Sequence, residues 1–243
     1  MATAEESHWW YVGLRDMIGR IVKSPRFAVP RDGKFLDAGC GTGANLRLLS
    51  GLTTPRVLEG FDAHPRSIRL AARKCPEADL YLDDIRRPTV RDDGYDLVLC
   101  CDVISLVGWN ACLEGLRNVV DRMSDGGLLI LHAPACKWLY SNHDRAVGNI
   151  ERYRLSEIQS FMELLGLRVE LLTYRMSVLL PIVAACRRFP GAARVDDEPH
   201  SDLGRGPESL VPIWRRIVAG ENGLTIRGLR WPIGSSILAV GRK

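Results

Sequence analysis

Short apolar runs alternate with helix-like patterns along most of the chain. Runs in which nearly every position is apolar predict buried strands, and apolar residues spaced three and four apart predict amphipathic helices. The predicted strands are 34–38, 57–62, 79–82, 95–101 and 128–133. Helices are predicted between them at 44–50, 65–74 and 109–123. This alternation is typical of βαβ units and a parallel sheet.

Further elements are predicted on both sides of this core. Residues 5–23 contain no proline and place Trp9, Met17, Ile18 and Ile21 at helical spacing, which predicts an amphipathic N-terminal helix. After the fifth strand, the pattern predicts a helix at 156–165 and strands at 168–174 and 236–242. The interval between those two strands is too long for a plain loop. It predicts helices near 177–188 and 209–219, with a mobile polar stretch at 190–207.

Length and composition favour one domain with an insertion. The 243 residues are 46% apolar, and 33 basic against 29 acidic residues give a net charge of +4. Because no long run of one sign concentrates that charge, nucleic-acid binding is not indicated. The longest apolar run, 178–186, contains Pro181 and is about half the length of a membrane span, so it indicates a core or cap helix.

The N-terminus and the cysteines indicate a cytoplasmic protein. The chain begins with an acidic stretch followed by aromatic residues, which does not resemble a signal peptide. Its seven cysteines are odd in number and form no Cys-x-x-Cys pair. We therefore expect neither a disulfide framework nor a structural zinc site.

A glycine-rich turn follows the first predicted strand. Gly39, Gly41 and Gly43 lie where a ligand packs over a helix N-terminus and the backbone must come close to it. With Ala44, the same residues also satisfy the dinucleotide fingerprint of nicotinamide oxidoreductases. Asp37, two residues before the turn, would repel a pyrophosphate but suits a cationic ligand. S-adenosylmethionine carries a sulfonium and an ammonium group and has no phosphate.

Segment 35–43, Phe-Leu-Asp-Ala-Gly-Cys-Gly-Thr-Gly, resembles the first motif of class I S-adenosylmethionine-dependent methyltransferases. Later segments resemble this family in the same order: 59–62 (Glu-Gly-Phe-Asp), 82–84 (Leu-Asp-Asp), 95–103 (Tyr-Asp-Leu-Val-Leu-Cys-Cys-Asp-Val) and 125–127 (Asp-Gly-Gly, where the family has Pro-Gly-Gly). The resemblance covers about residues 5–174 and the last strand.

The resemblance implies an α/β, Rossmann-like fold. Its seven-stranded, mostly parallel sheet would have helices on both faces and an antiparallel last strand. We expect a single domain, 1–243, in which 1–33 form an N-terminal cap helix and 34–174 the cofactor-binding core. Residues 175–232 would form a helical insertion over the substrate, and 233–243 the last strand.

The resemblance also implies the cofactor, S-adenosylmethionine, and its site. The glycine turn would lie under the methionine and ribose parts, and Asp62 would accept hydrogen bonds from both ribose hydroxyls. Asp83 or Asp84 would meet the adenine amino group; the sequence does not choose between them. The remaining candidates for cofactor binding are Tyr11, Arg15, Asp37, Gly39, Cys40, Gly41, Gly43 and Cys101.

The N-terminal helix carries a second resemblance. Segment 7–15, Ser-His-Trp-Trp-Tyr-Val-Gly-Leu-Arg, is similar to the N-terminal helix of small-molecule methyltransferases, whose final arginine holds the cofactor carboxylate. Arg15 would supply that guanidinium fork. For Trp9 and Trp10 both core packing and a pocket wall stay open, and Trp10 is a candidate for acceptor binding.

The class of methyl acceptor is narrowed by excluding motifs of other methyltransferases. No Asn/Asp-Pro-Pro-Tyr/Phe turn follows the fourth strand, and no Pro-Cys dipeptide occurs, which argues against methylation of nucleic-acid bases. Residues 104–107, Ile-Ser-Leu-Val, replace the Leu-Glu-His-Val of many relatives, so no base or metal ligand is expected there. A small molecule is the expected acceptor, with no metal, no nucleic-acid partner and no membrane span.

Segment 133–153 is the expected acceptor side. It resembles a subgroup with Pro-Ala, Trp-Leu, His-Asp and Arg-Tyr pairs at this spacing, associated with glycan, lipid or natural-product pathways. His143, Asp144 and Tyr153 are the candidates for catalysis, with His143 as a base. Trp138 and Arg152 are candidates for acceptor binding. In the alternative interpretation, the His-Asp and Arg-Tyr pairs form a latch that closes a lid.

Two rival functions stay open at this point. An S-adenosylmethionine-binding protein without methyl transfer, cyclase-like or regulatory, would keep every cofactor residue. A nicotinamide oxidoreductase would share the glycine turn but tolerate Asp37 badly. The sequence does not tell whether an oxygen, a nitrogen or a carbon atom is methylated. It also does not give the oligomeric state.

Overall fold

A seven-stranded sheet runs through residues 8–188 and 210–243, the parts of the chain that the computed structural model describes. Its strands are β1 (Lys34–Ala38), β2 (Val57–Asp62), β3 (Asp79–Leu82), β4 (Tyr95–Cys101), β5 (Met123–Pro134), β6 (Arg168–Arg175) and β7 (Ser236–Arg242). The helices are α1 (Trp9–Lys23), α2 (Ala44–Leu52), α3 (Pro65–Lys74), α4 (Ile104–Val107), α5 (Trp109–Asp121), α6 (Asn142–Val147), α7 (Leu155–Leu164), α8 (Leu180–Arg188) and α9 (Val211–Ile226). A 3₁₀ turn covers Lys137–Leu139.

The strand order is β3-β2-β1-β4-β5-β7-β6. Strands β1 to β5 pair in parallel, and β7 runs antiparallel to both neighbours, β5 and β6. This confirms the predicted Rossmann-like sheet with an antiparallel last strand. Between β1 and β4 the strand order reverses, and in such sheets ligands bind beyond the carboxyl ends of the strands at this point.

Both faces of the sheet are buried, which explains why the strands are continuous apolar runs. One face packs Leu36, Val98 and Leu129 into a core with α5 and α7, and the other packs Phe35 and Leu97 against α1 and α2. On α1, residues Met17, Ile18 and Ile21 are fully buried in this second core. The N-terminal helix is thus part of the folded core.

Tertiary contacts shift several element ends from their predicted positions. β5 begins at Met123 instead of 128, because the backbone at Gly126 and Gly127 pairs with Lys243 at the end of β7. Helix α9 continues to Ile226, beyond the predicted end at 219, since it is held against α1 there by Asn222. The pattern also missed α4, α6 and the 3₁₀ turn, which are too short to show a period.

Two predictions concern segments that the structure describes only in part or not at all. The predicted helix at 5–23 is observed from Trp9, and its residues 5–7 lie outside the described residues. The stretch 190–207, predicted to be mobile, lies wholly outside them. Within the described part of the chain, every helix is either too short or too polar to cross a membrane.

Candidate active site

The glycine turn after β1 has the backbone that only glycine adopts easily. Gly39, Gly41 and Gly43 have φ values of 84°, 53° and 83°. A Cβ atom on Gly39 would lie 2.3 Å from Val103 Cγ2, and one on Gly43 would lie 3.0 Å from the backbone of Ala71. A Cβ on Gly41 would meet no atom within 4 Å. Two of the glycines thus allow close packing inside the protein, and Gly41 borders open space that fits a bound cofactor.

Asp62 joins this turn to the end of β2. Its Oδ2 accepts a hydrogen bond from the Gly41 N–H at 3.0 Å, and its Oδ1 accepts one from the His64 N–H at 2.8 Å. Each carboxylate oxygen has a second lone pair. The structure therefore brings Asp62 and the glycine turn together and leaves both oxygens able to accept a ribose hydroxyl.

The two aspartates after β3 have different partners. Asp83 accepts backbone N–H bonds from Asp84 and Thr89, at 2.8 and 2.7 Å, and its own N–H donates to the Asp62 carbonyl at 3.2 Å. Asp84 accepts hydrogen bonds from Nε and Nη2 of Arg86, which hold the pKa of Asp84 below its usual value. Asp83 is thus tied directly to Asp62 and keeps lone pairs for a ligand, whereas Asp84 is occupied by Arg86.

Acidic side chains lie at the ends of β1 and β4. Asp37 is fully buried on β1, and Cys101 is the last residue of β4. Burial raises the pKa of the Cys101 thiol well above its ordinary value, and the carboxylates of Asp37 and Asp102 raise it further. Cys40, which follows Gly39, is also buried. This arrangement suits a cationic ligand, as Asp37 suggested in the sequence.

Helix α1 brings its aromatic residues to the same edge of the sheet. The Trp10 ring lies 4.9 Å from the Tyr11 ring and 5.3 Å from the His132 ring on β5, with each pair edge to face. Tyr11 and Arg15 are half-buried. Trp9 instead packs against Trp214 of α9, with ring centroids 6.0 Å apart. Of the two tryptophans, Trp10 therefore borders the site and Trp9 joins two helices.

The segment after β5 is held by a buried ion pair. Asp144 Oδ1 lies 2.8 Å from Arg152 Nη2, and both side chains are almost completely buried. Tyr153 is buried as well, with its hydroxyl 2.9 Å from the Ile104 carbonyl and 2.8 Å from Glu151 Oε2. These contacts favour the latch interpretation of the His-Asp and Arg-Tyr pairs. Direct catalysis by Asp144 or Tyr153 stays a prediction.

Among the candidate residues of this segment, His143 and Trp138 are the accessible ones. His143 is half-buried on α6, and Trp138 in the 3₁₀ turn is 57% exposed. The pKa of His8, at the start of α1, is lowered to about 4, first by burial and then by the positive charge of His143 and Arg215. His143 therefore lies near the beginning of the N-terminal helix.

A buried polar chain crosses the sheet beside these residues, and sequence reasoning missed it. His132 Nδ1 lies 2.9 Å from Asp102 Oδ1, and His132 Nε2 lies 3.1 Å from Arg175 Nη1. Arg175 also donates to the Gly13 carbonyl at 2.9 Å. A histidine inside the apolar run of β5 was the one available signal, since a buried imidazole requires partners.

Comparison with known proteins identifies a methyltransferase domain and fold. Residues 35–127 match the family model of a methyltransferase domain. A search of curated proteins finds no match. An S-adenosylmethionine-dependent methyltransferase from Mesorhizobium loti has a TM-score of 0.61 at 13% identity, covering 98% of this chain and 99% of that one. A TehB-like methyltransferase from Corynebacterium glutamicum has a TM-score of 0.56 at 16% identity, covering 94% and 87%.

A protein with a different activity has a similar fold. The [4+2]-cyclase SpnF has a TM-score of 0.58 at 13% identity, covering 94% of this chain and 81% of that one. At these identities, the solved structures show the shared fold and not the reaction. The matched domain extends from the glycine turn through the Asp62 and Asp83 segments to Gly127, and it decides against a nicotinamide oxidoreductase. Residues 35–127 are a methyltransferase domain, and the chain has the fold of S-adenosylmethionine-dependent methyltransferases, which implies S-adenosylmethionine as the cofactor.

Proposed function

We propose that this methyltransferase acts on a small-molecule acceptor of a natural-product, lipid or glycan pathway, by in-line attack on the methyl group. The observation that supports this most is the position of α1 across the carboxyl edge of the sheet. Trp10 of α1 contacts His132, and the Gly13 carbonyl accepts hydrogen bonds from Arg175 and Asn222. An edge covered by a helix in this way forms an enclosed site, which suits a small ligand.

Each part of the cofactor site would hold a different part of the ligand. When bound, S-adenosylmethionine supplies an activated methyl group, so most of the work left to the protein is positioning. Asp62 would bind the ribose hydroxyls over Gly41, and Asp83 is the better candidate for the adenine amino group because Arg86 occupies Asp84. Arg15 would hold the carboxylate of the methionine part.

Replacing Arg15 with alanine is expected to lower the affinity for S-adenosylhomocysteine about tenfold, because a charge-assisted hydrogen bond to the ligand carboxylate is lost. Calorimetric titration measures this directly. Lys23→Ala removes the same charge from an exposed position at the far end of α1 and is the matched control. Parental affinity in Arg15→Ala would make α1 a cap without cofactor contact.

The acceptor would lie between α1, the segment after β5 and the insertion before β7. We propose that 1–33 and 175–232 enclose it, while 34–174 and 233–243 form the cofactor-binding core. In this arrangement Trp10 and Trp138 would form apolar walls. The segment after β5 would be held closed by its buried residues Asp144, Arg152 and Tyr153.

The acceptor is best sought with methyl-labelled cofactor. Incubation with S-adenosylmethionine carrying a trideuterated methyl group and a metabolite extract, followed by mass spectrometry, should reveal a small molecule that carries the label. Heat-denatured protein is the control for spontaneous methylation. Label found only in protein or nucleic acid would contradict the proposed acceptor class, and bound cofactor without any transfer would favour the cyclase-like or regulatory alternative.

His143→Ala is expected to raise the acceptor KM several-fold and to change kcat less than tenfold, since the buried contacts of Asp144 favour a closing segment over a catalytic base. The labelled product provides the assay. Arg145→Ala, an exposed change on the same helix, is the control. A fall in kcat of about 10²-fold with KM kept would instead make His143 the base.

The described cysteines support the proposed cytoplasmic location. Cys40, Cys75, Cys100, Cys101, Cys112 and Cys136 are all free thiols. Reduced thiols persist in the reducing cytoplasm, whereas secreted proteins usually form disulfides.

A further inference from the structure

Asp102 lies between the cofactor turn and the N-terminal helix. It directly follows β4, and the next residue, Val103, packs against Gly39 so closely that a Cβ on the glycine would lie 2.3 Å from it. On its other side, Asp102 contacts His132, whose ring lies 5.3 Å from that of Trp10. The Asp102 carboxylate therefore occupies the border between the cofactor side and the acceptor side of the site.

The backbone of Asp102 is held in an unusual conformation. Its φ is 61°, in the left-handed region that few residues other than glycine adopt. The Asp102 N–H donates to the His132 carbonyl at 2.8 Å, so main chain and side chain both bind the same histidine. Strained conformations of this kind persist where the surrounding structure fixes them, often at functional sites.

Arg175 determines which nitrogen of His132 carries the proton. A guanidinium only donates hydrogen bonds, so His132 Nε2, 3.1 Å away, must accept one. The ring proton then lies on Nδ1 and is donated to Asp102 Oδ1 at 2.9 Å. Burial lowers the pKa of Arg175 to about 10, which leaves it charged at neutral pH. Arg175 thus orients His132, and His132 orients the Asp102 carboxylate.

The Asp102 carboxylate is partly exposed. Asp102 has 29% of its side chain exposed, whereas His132 and Arg175 are buried. Of the three linked groups, Asp102 is therefore the one that a ligand can reach. A partly exposed carboxylate that is oriented by a buried histidine can accept a proton from a bound molecule.

We propose that Asp102 is the base of the transfer, that His132 and Arg175 are positioning residues, and that the acceptor reacts through a hydroxyl or amine group. Asp102 accepts the proton of the nucleophile while the nucleophile's lone pair forms the bond to the methyl carbon and the carbon–sulfur electron pair returns to sulfur. This inference rests on the proposed function and assigns the proton transfer to Asp102 instead of His143.

Ligand binding tests the position of the carboxylate without an acceptor. Sinefungin carries an amine where S-adenosylmethionine carries its sulfonium methyl, whereas S-adenosylhomocysteine has no group there. If Asp102 faces the methyl position, the parent binds sinefungin more tightly, and Asp102→Asn lowers this preference about tenfold or more while S-adenosylhomocysteine affinity stays within about twofold. An unchanged preference would overturn the proposal.

The matched control is Asp79→Asn, which removes an exposed carboxylate paired with Arg91 at the edge of the sheet. It should leave the affinity for both ligands as in the parent. A similar loss of sinefungin preference in Asp79→Asn would show that the effect is one of overall charge, and would overturn the assignment to Asp102.

Two variants of His132 test the positioning role. Glutamine can still donate to Asp102 and accept from Arg175, so His132→Gln should keep most of the sinefungin preference. His132→Leu should lose it with S-adenosylhomocysteine affinity kept. Equal loss of both ligands in both variants would show that His132 is merely structural.

Turnover tests the proton transfer itself. With the labelled cofactor and the metabolite extract, Asp102→Asn should form the labelled product about 10²-fold more slowly than the parent. If Asp102→Asn formed the product at the parental rate, Asp102 would not be the base. If the parent labels no small molecule but Asp102→Asn still loses the sinefungin preference, the proposed acceptor class fails and the position of Asp102 stands.

Discussion

Asp62→Ala is expected to lower the affinity for S-adenosylmethionine and S-adenosylhomocysteine at least tenfold, with the fold intact. Two hydrogen bonds to a charged acceptor contribute about 1.5 to 3 kcal/mol each, so even the loss of one reaches this magnitude. The substitution also removes the acceptor of the Gly41 N–H, which is bonded at 3.0 Å, and so loosens the turn that the cofactor covers.

Calorimetric titration of both ligands measures this loss, and circular dichroism checks that the fold is kept. Asp62→Asn keeps one carbonyl oxygen and should bind with an affinity between those of the parent and Asp62→Ala. Asp93→Ala, which removes an exposed carboxylate from the loop before β4, should bind like the parent. Parental affinity in Asp62→Ala would remove this residue from the ribose site.

The sheet was predictable because its strands are buried on both faces. Predicted strands 34–38, 57–62, 79–82 and 95–101 have the observed bounds of β1 to β4. Continuous apolar runs between helical patterns leave few alternatives for such strands. The observed start of β5 and end of α9 depend instead on contacts of Lys243 and Asn222 with residues more than a hundred positions away. A local pattern carries no information about such contacts.

That the candidate cofactor residues lie together could be predicted for a similar reason. Its residues occur in short segments that each follow one strand, and parallel strands bring their carboxyl ends to one edge. Asp62 and Asp83 meet in the structure through the hydrogen bond from the Asp83 N–H to the Asp62 carbonyl. The sequence did not choose between Asp83 and Asp84, and the structure separates them by their contacts, since Asp83 bonds to Asp62 and Asp84 to Arg86.

The acceptor side could not be read from the sequence in this way. Asp102 directly follows β4, and His132 and Arg175 lie on β5 and β6. Of the three, His132 alone differs from its neighbours in the sequence, as a polar residue inside an apolar run. Their interaction depends on the order of the strands, which places β7 between β5 and β6 and leaves a long arginine to reach across to His132. The sequence therefore drew attention to His143 and Asp144, which are adjacent and easy to notice.

Arg152→Ala is expected to lower the free energy of unfolding by about 3 to 5 kcal/mol, because it leaves the fully buried Asp144 carboxylate without its ion-pair partner. It also removes the hydrogen bond, 2.8 Å long, that Arg152 Nη1 donates to the carbonyl of Ala135, directly after β5. For a chain of this length such a loss lowers Tm by roughly 10 °C or more. Urea unfolding of the parent and the variant measures the difference.

A double-mutant cycle separates the ion pair from the rest of Arg152. Asp144→Asn keeps an acceptor for the Ser141 N–H, and the double variant Asp144→Asn/Arg152→Ala leaves no buried charge behind. It should therefore lose less stability than the two single changes together. Arg145→Ala, on the exposed face of α6, should change stability by less than about 0.5 kcal/mol. A loss below about 1 kcal/mol in Arg152→Ala would show that the pair does not hold the segment, and the latch interpretation would then give way to a direct role for Arg152 at the acceptor.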